Sequence, residues 1–394
     1  MAGRDGLNGV KAHGAIVPVT RFDQHPAVAL KALEGADKPR KTKIVATLGP
    51  ASWTAEMIPK MIEAGVDIFR MNCSHRRDGV IEEFYPRLRA EIAKCTSRKI
   101  EVLGDLQGPK FRVGETLNDE AVSVAEGEVV EFGIMKDAND ITKPGRITMK
   151  ATIEQVALVK GSSAGETLLI DDGKLAMKVT EKVSESELKC VMLNGGLVKA
   201  RKGVNAPDVE IDCAALPAKD IEDAEFMLSL DPIPEYFCVS FVQKAADLQE
   251  LIDIMDRMNI PAEKRPKICP KIEKPQALTN IDSIMALSHS LMIARGDLGV
   301  ELGHERVPIA QKLLAAAARK AGLEPVICAT MMMESMIESP VPTRAEVTDV
   351  FNAVVDGCHA VMLSGESATG DYPCEAVKYM GQISKEAEYW LSQE

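Results

Sequence analysis

The sequence predicts an α/β fold: a (β/α)8 TIM barrel with an inserted all-β lid domain. Two observations carry this. Short apolar strand candidates alternate with helix-period segments on both sides of a stretch with no helical rhythm, three candidates before it and five after it. Polar and charged residues also gather at the C-terminal ends of those candidates, the end at which such a barrel places its chemistry.

Residues 1–40 read as a loosely attached arm that mixes Arg4, Lys11, Arg21 and Lys31 with acidic residues and has no apolar signal segment. Residues 41–110 form the first part of the barrel. A strand at 43–48 is stopped by Gly49-Pro50, Ser52 is a candidate cap, and Met57, Ile58, Met61 and Ile62 recur at helical spacing until Gly65. A strand at 66–71, a helix carrying Ile81, Phe84, Tyr85, Leu88 and Ile92, and a strand at 101–104 follow. Strand, helix, strand in this order means a parallel sheet with right-handed crossovers.

Residues 111–209 break the pattern, with short Val, Ile and Leu runs between turn signals at 126–128, 143–145, 171–173 and 194–196. They read as an inserted β-barrel or sandwich. Residues 210–394 form the second part of the barrel, with strands at 237–241, 267–272, 291–294, 325–329 and 360–363. Helices are expected at 244–258, 275–287, 305–321 and 345–356, and a last one from Cys374. An open doubly wound sheet is the alternative that periodicity leaves standing, but no Gly-rich dinucleotide or P-loop spacing supports it.

Composition narrows the function. With 394 residues, 46% hydrophobic and 27% charged, the chain is an ordinary globular protein. Its formal charge of -12 argues against a nucleic-acid or anionic-membrane surface, while leaving room for a local basic pocket that holds phosphates. The nine cysteines form no short metal cluster, and several sit in apolar runs. They read as reduced, buried side chains of a cytoplasmic protein.

The candidate site residues are those at the strand ends: Thr47; Arg70, Asn72, Ser74 and His75; Asp105; Ser240; Lys271 and Glu273; Arg295, Gly296 and Asp297; Thr330; Ser364 and Glu366. Lys271 and Glu273, two apart on an extended strand, face the same way. Glu273 and Asp297, from neighbouring strands, suit a hard divalent cation such as Mg²⁺, with Lys271 a mobile positive charge on a phosphoryl group. A salt-bridged strand edge is the plainer reading of the three. Asp171-Asp172-Gly173 reads equally as a hairpin turn or as part of the site.

These residues carry a resemblance to the pyruvate kinase family. The matching segments, in order, are KIVATLGPAS from Lys43, RMNCSH from Arg70, DLQGPKFR from Asp105, IDDG from Ile170, KGVN from Lys202, KIEK from Lys271, ARGDLG from Ala294, PVICAT from Pro325, PTRAE from Pro342 and MLSGE from Met362. The resemblance implies transfer of the phosphoryl group of phosphoenolpyruvate to ADP, followed by protonation of enolpyruvate. It assigns Lys271, Arg70, Thr330 and Ser364 to catalysis, and Ser240, Arg295, Gly296 and Asp297 to substrate binding with them. Thr47, Pro50, His75, Arg112 and Lys202 go to the nucleotide, and Glu273 and Asp297 to Mg²⁺, with Mn²⁺ as the substitute ion.

Departures from the family pattern matter too. Asn72, Ser74 and Asp105 match K⁺ ligands, yet Leu106, Lys110 and Val113 depart from the K⁺-dependent pattern, and the Lys110 ammonium is expected to stand in for K⁺. Met331 replaces an expected glutamine, and Gln243 a basic residue. The chain ends at Glu394, where the resemblance implies a further C-terminal domain. A homo-oligomer is expected, a dimer through the barrel being plausible and a tetramer open. The competing functions are a Mg²⁺-dependent lyase or aldolase acting on phosphoenolpyruvate or a 2-oxo acid, and a catalytically weak regulatory or scaffolding homologue.

Overall fold

The computed structural model describes residues 39–75, 79–95 and 97–392. The arm expected over residues 1–40 lies almost wholly outside the described residues, and the side chain of His75 lies outside them too.

Three strands, β1 (Lys43–Thr47), β2 (Ile68–Asn72) and β3 (Glu101–Asp105), open the barrel. Eight strands of an insertion follow: β4 (Val122–Val124), β5 (Val129–Ile134), β6 (Arg146–Met149), β7 (Thr167–Ile170), β8 (Leu175–Ser184), β9 (Glu187–Met192), β10 (Gly196–Val198) and β11 (Val204–Asn205). Then β12 (Tyr236–Val239), β13 (Lys267–Ile272), β14 (Leu291–Ala294), β15 (Val326–Ala329) and β16 (Ala360–Leu363) complete the barrel. The closed order is β1-β16-β15-β14-β13-β12-β3-β2, and every neighbouring pair is parallel. Closure excludes the open sheet.

Alternation along each strand builds two layers. Val45, Ile68, Leu103, Cys269, Met292, Ile327, Ala360 and Met362 fill the barrel interior. Ile44, Phe69, Val102, Ile268, Ile293, Val326 and Val361 face the surrounding helices instead. Each large side chain so buried contributes roughly 1.5–3 kcal/mol relative to exposure. The same alternation carried past the last apolar residue aims Arg70, Asp105, Lys271 and Glu273 at the C-terminal mouth.

The insertion leaves after β3 and returns before β12. Its larger sheet has the order β11-β7-β8-β9-β5-β6, and β10 pairs with β4 in a small second sheet. A separate core of Val130, Phe132, Ile147, Leu168, Met177, Leu188 and their neighbours holds it together. It also contains a helix, Ile153–Gly161, with Thr152 as N-cap, which the strand-like run of its apolar residues did not signal.

Two local expectations change, and one helix was not foreseen. The helix Met57–Ala64 is not capped by Ser52, whose buried hydroxyl instead accepts from the amide of Gly49 at 3.1 Å and closes the turn after β1. A helix at Ala218–Leu228, entered from Pro217, precedes β12. The helix expected over 275–287 is broken at Asn280 into Pro275–Thr279 and Ile281–Ala286.

Candidate active site

A cavity of about 390 Å³ opens between the barrel mouth and the insertion. From the barrel come Arg70, Asn72, Ser74, Lys271, Glu273, Lys274, Asp297, Glu301, Thr330 and Ser364; the insertion and its hinges add Lys110, Arg112, Asp171, Asp172, Arg201, Lys202 and Asn205. A second, mainly apolar cavity of about 730 Å³ adjoins it. Thr47, Pro50, Trp53, Val80, Ile81, Phe84 and Ala368 wall that one, and Arg70, Asn72, Ser74 and Ser364 line both.

Lys271 stands at the centre. Its Nζ lies 3.0 Å from Glu273 Oε1 and 3.5 Å from Asp105 Oδ1, and it donates to Ser240 Oγ at 2.8 Å. Burial alone would strip its proton, but Asp105 and Glu273 outweigh burial and hold the ammonium charged. Arg70 donates from Nε to Asp105 Oδ2 at 2.7 Å and from Nη1 to Thr47 Oγ1 at 2.9 Å. Burial opposes the charge of Asp105 as well, and Lys271 and Arg70 overcome it and keep its carboxyl below the ordinary range.

Glu273 and Asp297 behave in the opposite way. Loss of solvation raises both carboxyls, Glu273 at 1% exposure and Asp297 on the open wall of the cavity; Asp297 adds to the rise at Glu273, while Glu301 and Asp172 add to it at Asp297. Lys271 opposes both. Asp297 lies in the first turn of the helix Arg295–Leu302, which starts directly after β14, so it belongs to a helix and not to a strand end. Lys110 reaches back from the insertion's first hinge to donate to Ser74 Oγ at 3.1 Å; burial, Arg112 and Lys271 lower its affinity for a proton.

Other expected residues serve from behind. Ser240 is wholly buried, donates to the carbonyl of Leu106 at 2.6 Å, and supports Lys271. Arg295 and Gly296 do not wall the cavity. Arg295 grips Asp349 and backbone carbonyls, and a methyl group on Gly296 would sit 2.6 Å from Thr330 Cγ2. Thr330 itself has φ +80° and Met331 φ +53°. For a β-branched residue this left-handed backbone costs on the order of 1–3 kcal/mol, and strain of this kind gathers at working sites. Arg112 donates to the carbonyl of Arg201 at 2.9 Å, and Lys202 pairs with Asp171 at 2.8 Å. Asp171 and Asp172 make the left-handed turn between β7 and β8 and also line the cavity.

Several participants carried no local signal. Asp220, 1% exposed, accepts the amides of Gln107 at 3.1 Å and Gly108 at 2.5 Å and holds the loop that leads to Lys110. Lys274 and Glu301 form a buried pair at 3.0 Å, and Asn205 of the insertion donates to Glu301 at 2.9 Å. Trp53 stacks on Phe84 with ring centroids 5.8 Å apart at the wall of the apolar cavity. Only the spacing of Lys274 beside Lys271 and Glu273 hinted at any of these.

A closed eight-stranded barrel, with cationic side chains and paired carboxylates at the strand ends and a β-insertion across its mouth, defines a barrel enzyme of phosphorylated anions. Residues 39–377 match the barrel domain of pyruvate kinase. The chain is 43% identical over 354 residues to a pyruvate kinase of Agrobacterium vitis, which covers 89% of this chain and 68% of that protein. It is 40% identical over 346 residues to one of Mycobacterium tuberculosis, covering 87% and 69%. A crystal structure of a pyruvate kinase from Cryptosporidium parvum superposes with a TM-score of 0.82 at 33% identity, over 89% of this chain and 69% of that one. The chain belongs to the pyruvate kinase family. It is an enzyme of glycolysis that transfers the phosphoryl group of phosphoenolpyruvate to ADP, giving pyruvate and ATP, and family membership implies dependence on Mg²⁺. No helix among the described residues is long and apolar enough to cross a membrane.

Proposed function

We propose that Lys271 and Arg70 carry the transferring phosphoryl group, and the arrangement of Lys271 supports this most directly. Its ammonium is held charged by two carboxylates at the cavity floor, 13% exposed, so it meets the charge that develops on the phosphoryl oxygens without reorganising. Arg70 is fixed in direction by Asp105 and Thr47 and supplies a second cation.

Glu273 and Asp297 fit a divalent ion. Glu273 is buried and Asp297 lines the same cavity, and the charge of Asp297 raises the cost of ionising Glu273, which a hard cation relieves. Among the described residues no three His, Cys, Asp or Glu side chains converge, so substrate oxygens and water complete the shell, as Mg²⁺ prefers and Mn²⁺ accepts. The bound ion would neutralise phosphate charge. Thr330 and Ser364 line the same cavity, which supports a part for them in protonating enolpyruvate. Arg112 and Lys202 belong to the ADP phosphates, and Thr47 and Pro50, beside the apolar cavity, to the nucleoside.

Lys110 takes the place of K⁺. Its ammonium reaches Ser74, and Asp105, another of the positions matched to K⁺ ligands, is engaged by Arg70. The insertion closes over the cavity about hinges near Pro109 and Asp208 and excludes water that would compete with ADP. Solution scattering with Mg²⁺, nucleotide and a substrate analogue tests closure; an unchanged radius of gyration rules it out. Ile309 and Leu313, exposed one turn apart on the helix Val307–Lys320, support a homo-oligomer through the barrel.

The deciding assay follows pyruvate formation from phosphoenolpyruvate with and without ADP and Mg²⁺, beside Lys271→Met. Turnover should need both and fall at least about a hundredfold in the variant, the scale of losing one electrostatic contact to the transition state. Retention of activity by the variant refutes the role of Lys271.

A further inference from the structure

At the C-terminal ends of β14 and β15, and not among the residues that line the cavity, Arg295 makes a dense set of contacts. Its Nη1 and Nη2 lie 2.5 and 2.6 Å from the two carboxylate oxygens of Asp349, on the helix Arg344–Val355. Nη1 also reaches Gln311 Oε1 at 3.3 Å. The remaining donors turn to the backbone: Nε to the carbonyl of Ala329 at 3.3 Å, Nη2 to that of Thr330 at 2.9 Å.

The guanidinium therefore holds both carbonyls of the segment whose next residue-to-residue step is left-handed, at Thr330 with φ +80°. A β-branched residue leaves that conformation unless its surroundings hold it there. Asp349 keeps the fork oriented, as a bidentate carboxylate does for a planar guanidinium. Gly296 completes the arrangement, since only a residue without a side chain lets Thr330 Cγ2 approach so closely.

We infer that Arg295 and Asp349 are a positioning pair that fixes the strained backbone of Thr330 and so aims its side chain into the catalytic cavity. Neither residue walls that cavity. The inference rests on the reading of Thr330 as a participant in protonation.

The test separates the two halves of the reaction. Asp349→Asn is compared with the native enzyme for ATP formation from phosphoenolpyruvate and ADP, and for exchange of pyruvate methyl protons with deuterium in the presence of Mg²⁺ and ATP. The expected result is a fall in exchange of about tenfold to a hundredfold, the scale of a misplaced catalytic group, with KM for both substrates within about twofold of native. If Asp349→Asn does not fold, Arg295→Lys carries the same test, because one ammonium cannot serve Asp349 and both carbonyls. Unchanged exchange in a folded variant, or a rise in KM with kcat unchanged, overturns the inference. Thr330→Ala distinguishes the two readings. If it leaves exchange intact, the role of Thr330 fails; if it abolishes exchange while Asp349→Asn and Arg295→Lys do not, the positioning pair fails.

Discussion

Replacing Lys274 by methionine isolates the worth of a buried ion pair within the barrel, on which Asn205 at the returning end of the insertion also leans. The side chains of Lys274 and Glu301 are 4% and 2% exposed and meet at 3.0 Å. At an effective dielectric constant of about 20 their attraction is about 5–6 kcal/mol. Lys274→Met removes it and leaves a buried carboxylate with the amide of Asn205, at 2.9 Å, as its remaining partner. The expected loss of stability is about 3–5 kcal/mol, the cost of stranding one member of a buried pair. Lys274→Met with Glu301→Leu should recover to within about 1 kcal/mol of the native protein, because the desolvation penalty leaves with the second charge. Urea unfolding followed by the fluorescence of Trp53, in the connection after β1, and Trp390, on the last helix, measures each variant. A single variant that loses less than about 1 kcal/mol, the worth of an exposed pair, refutes the reasoning, as does a double variant no more stable than the single one.

Three other outcomes are expected. Burial pushes the carboxyl of Asp220 up to about 6 from an ordinary 3.8, against the pull of the Gly108 and Gln107 amides. Between those values the folded chain holds a proton that the unfolded chain has released, so stability falls as pH rises from about 4 to about 6, by up to about 3 kcal/mol, and is level above. Asp220→Asn should remove that slope from urea unfolding measured across the window; parallel native and variant curves count against it. Native turnover should be indifferent to exchanging K⁺ for tetramethylammonium at constant ionic strength, whereas Lys110→Glu should become activated by K⁺. Many-fold activation of the native enzyme by K⁺ would mean that Lys110 does not replace the cation. Lys271→Met should lose turnover and also about 3–5 kcal/mol of stability, because it strands the buried carboxylates of Glu273 and Asp105 with the amide of Phe241 and Arg70 as partners; a variant as stable as the native enzyme contradicts this.

Much of the site was legible because a strand has a period of two. Once Cys269 is known to face the barrel interior, Lys271 and Glu273 must face its mouth, and the run from Ile68 to Asn72 aims Arg70 and Asn72 the same way. Parallel order follows from the helices between strands, so neighbouring strand ends had to meet at one face. The sequence thus determined the barrel, the interruption between β3 and β12, and the set of charges at the mouth. It did not determine partners across the fold. Arg295 and Asp349 lie 54 residues apart, and Asp220 is 112 from the Gly108 amide that it accepts. Periodicity says which face a side chain takes on its own element. Which long side chain crosses to which neighbour depends on how helices pack around the closed barrel, a matter of distances between elements that no local pattern records. That is why nothing along the chain announced that Arg295, which the resemblance assigns to substrate binding, reaches Asp349 and the carbonyl of Thr330.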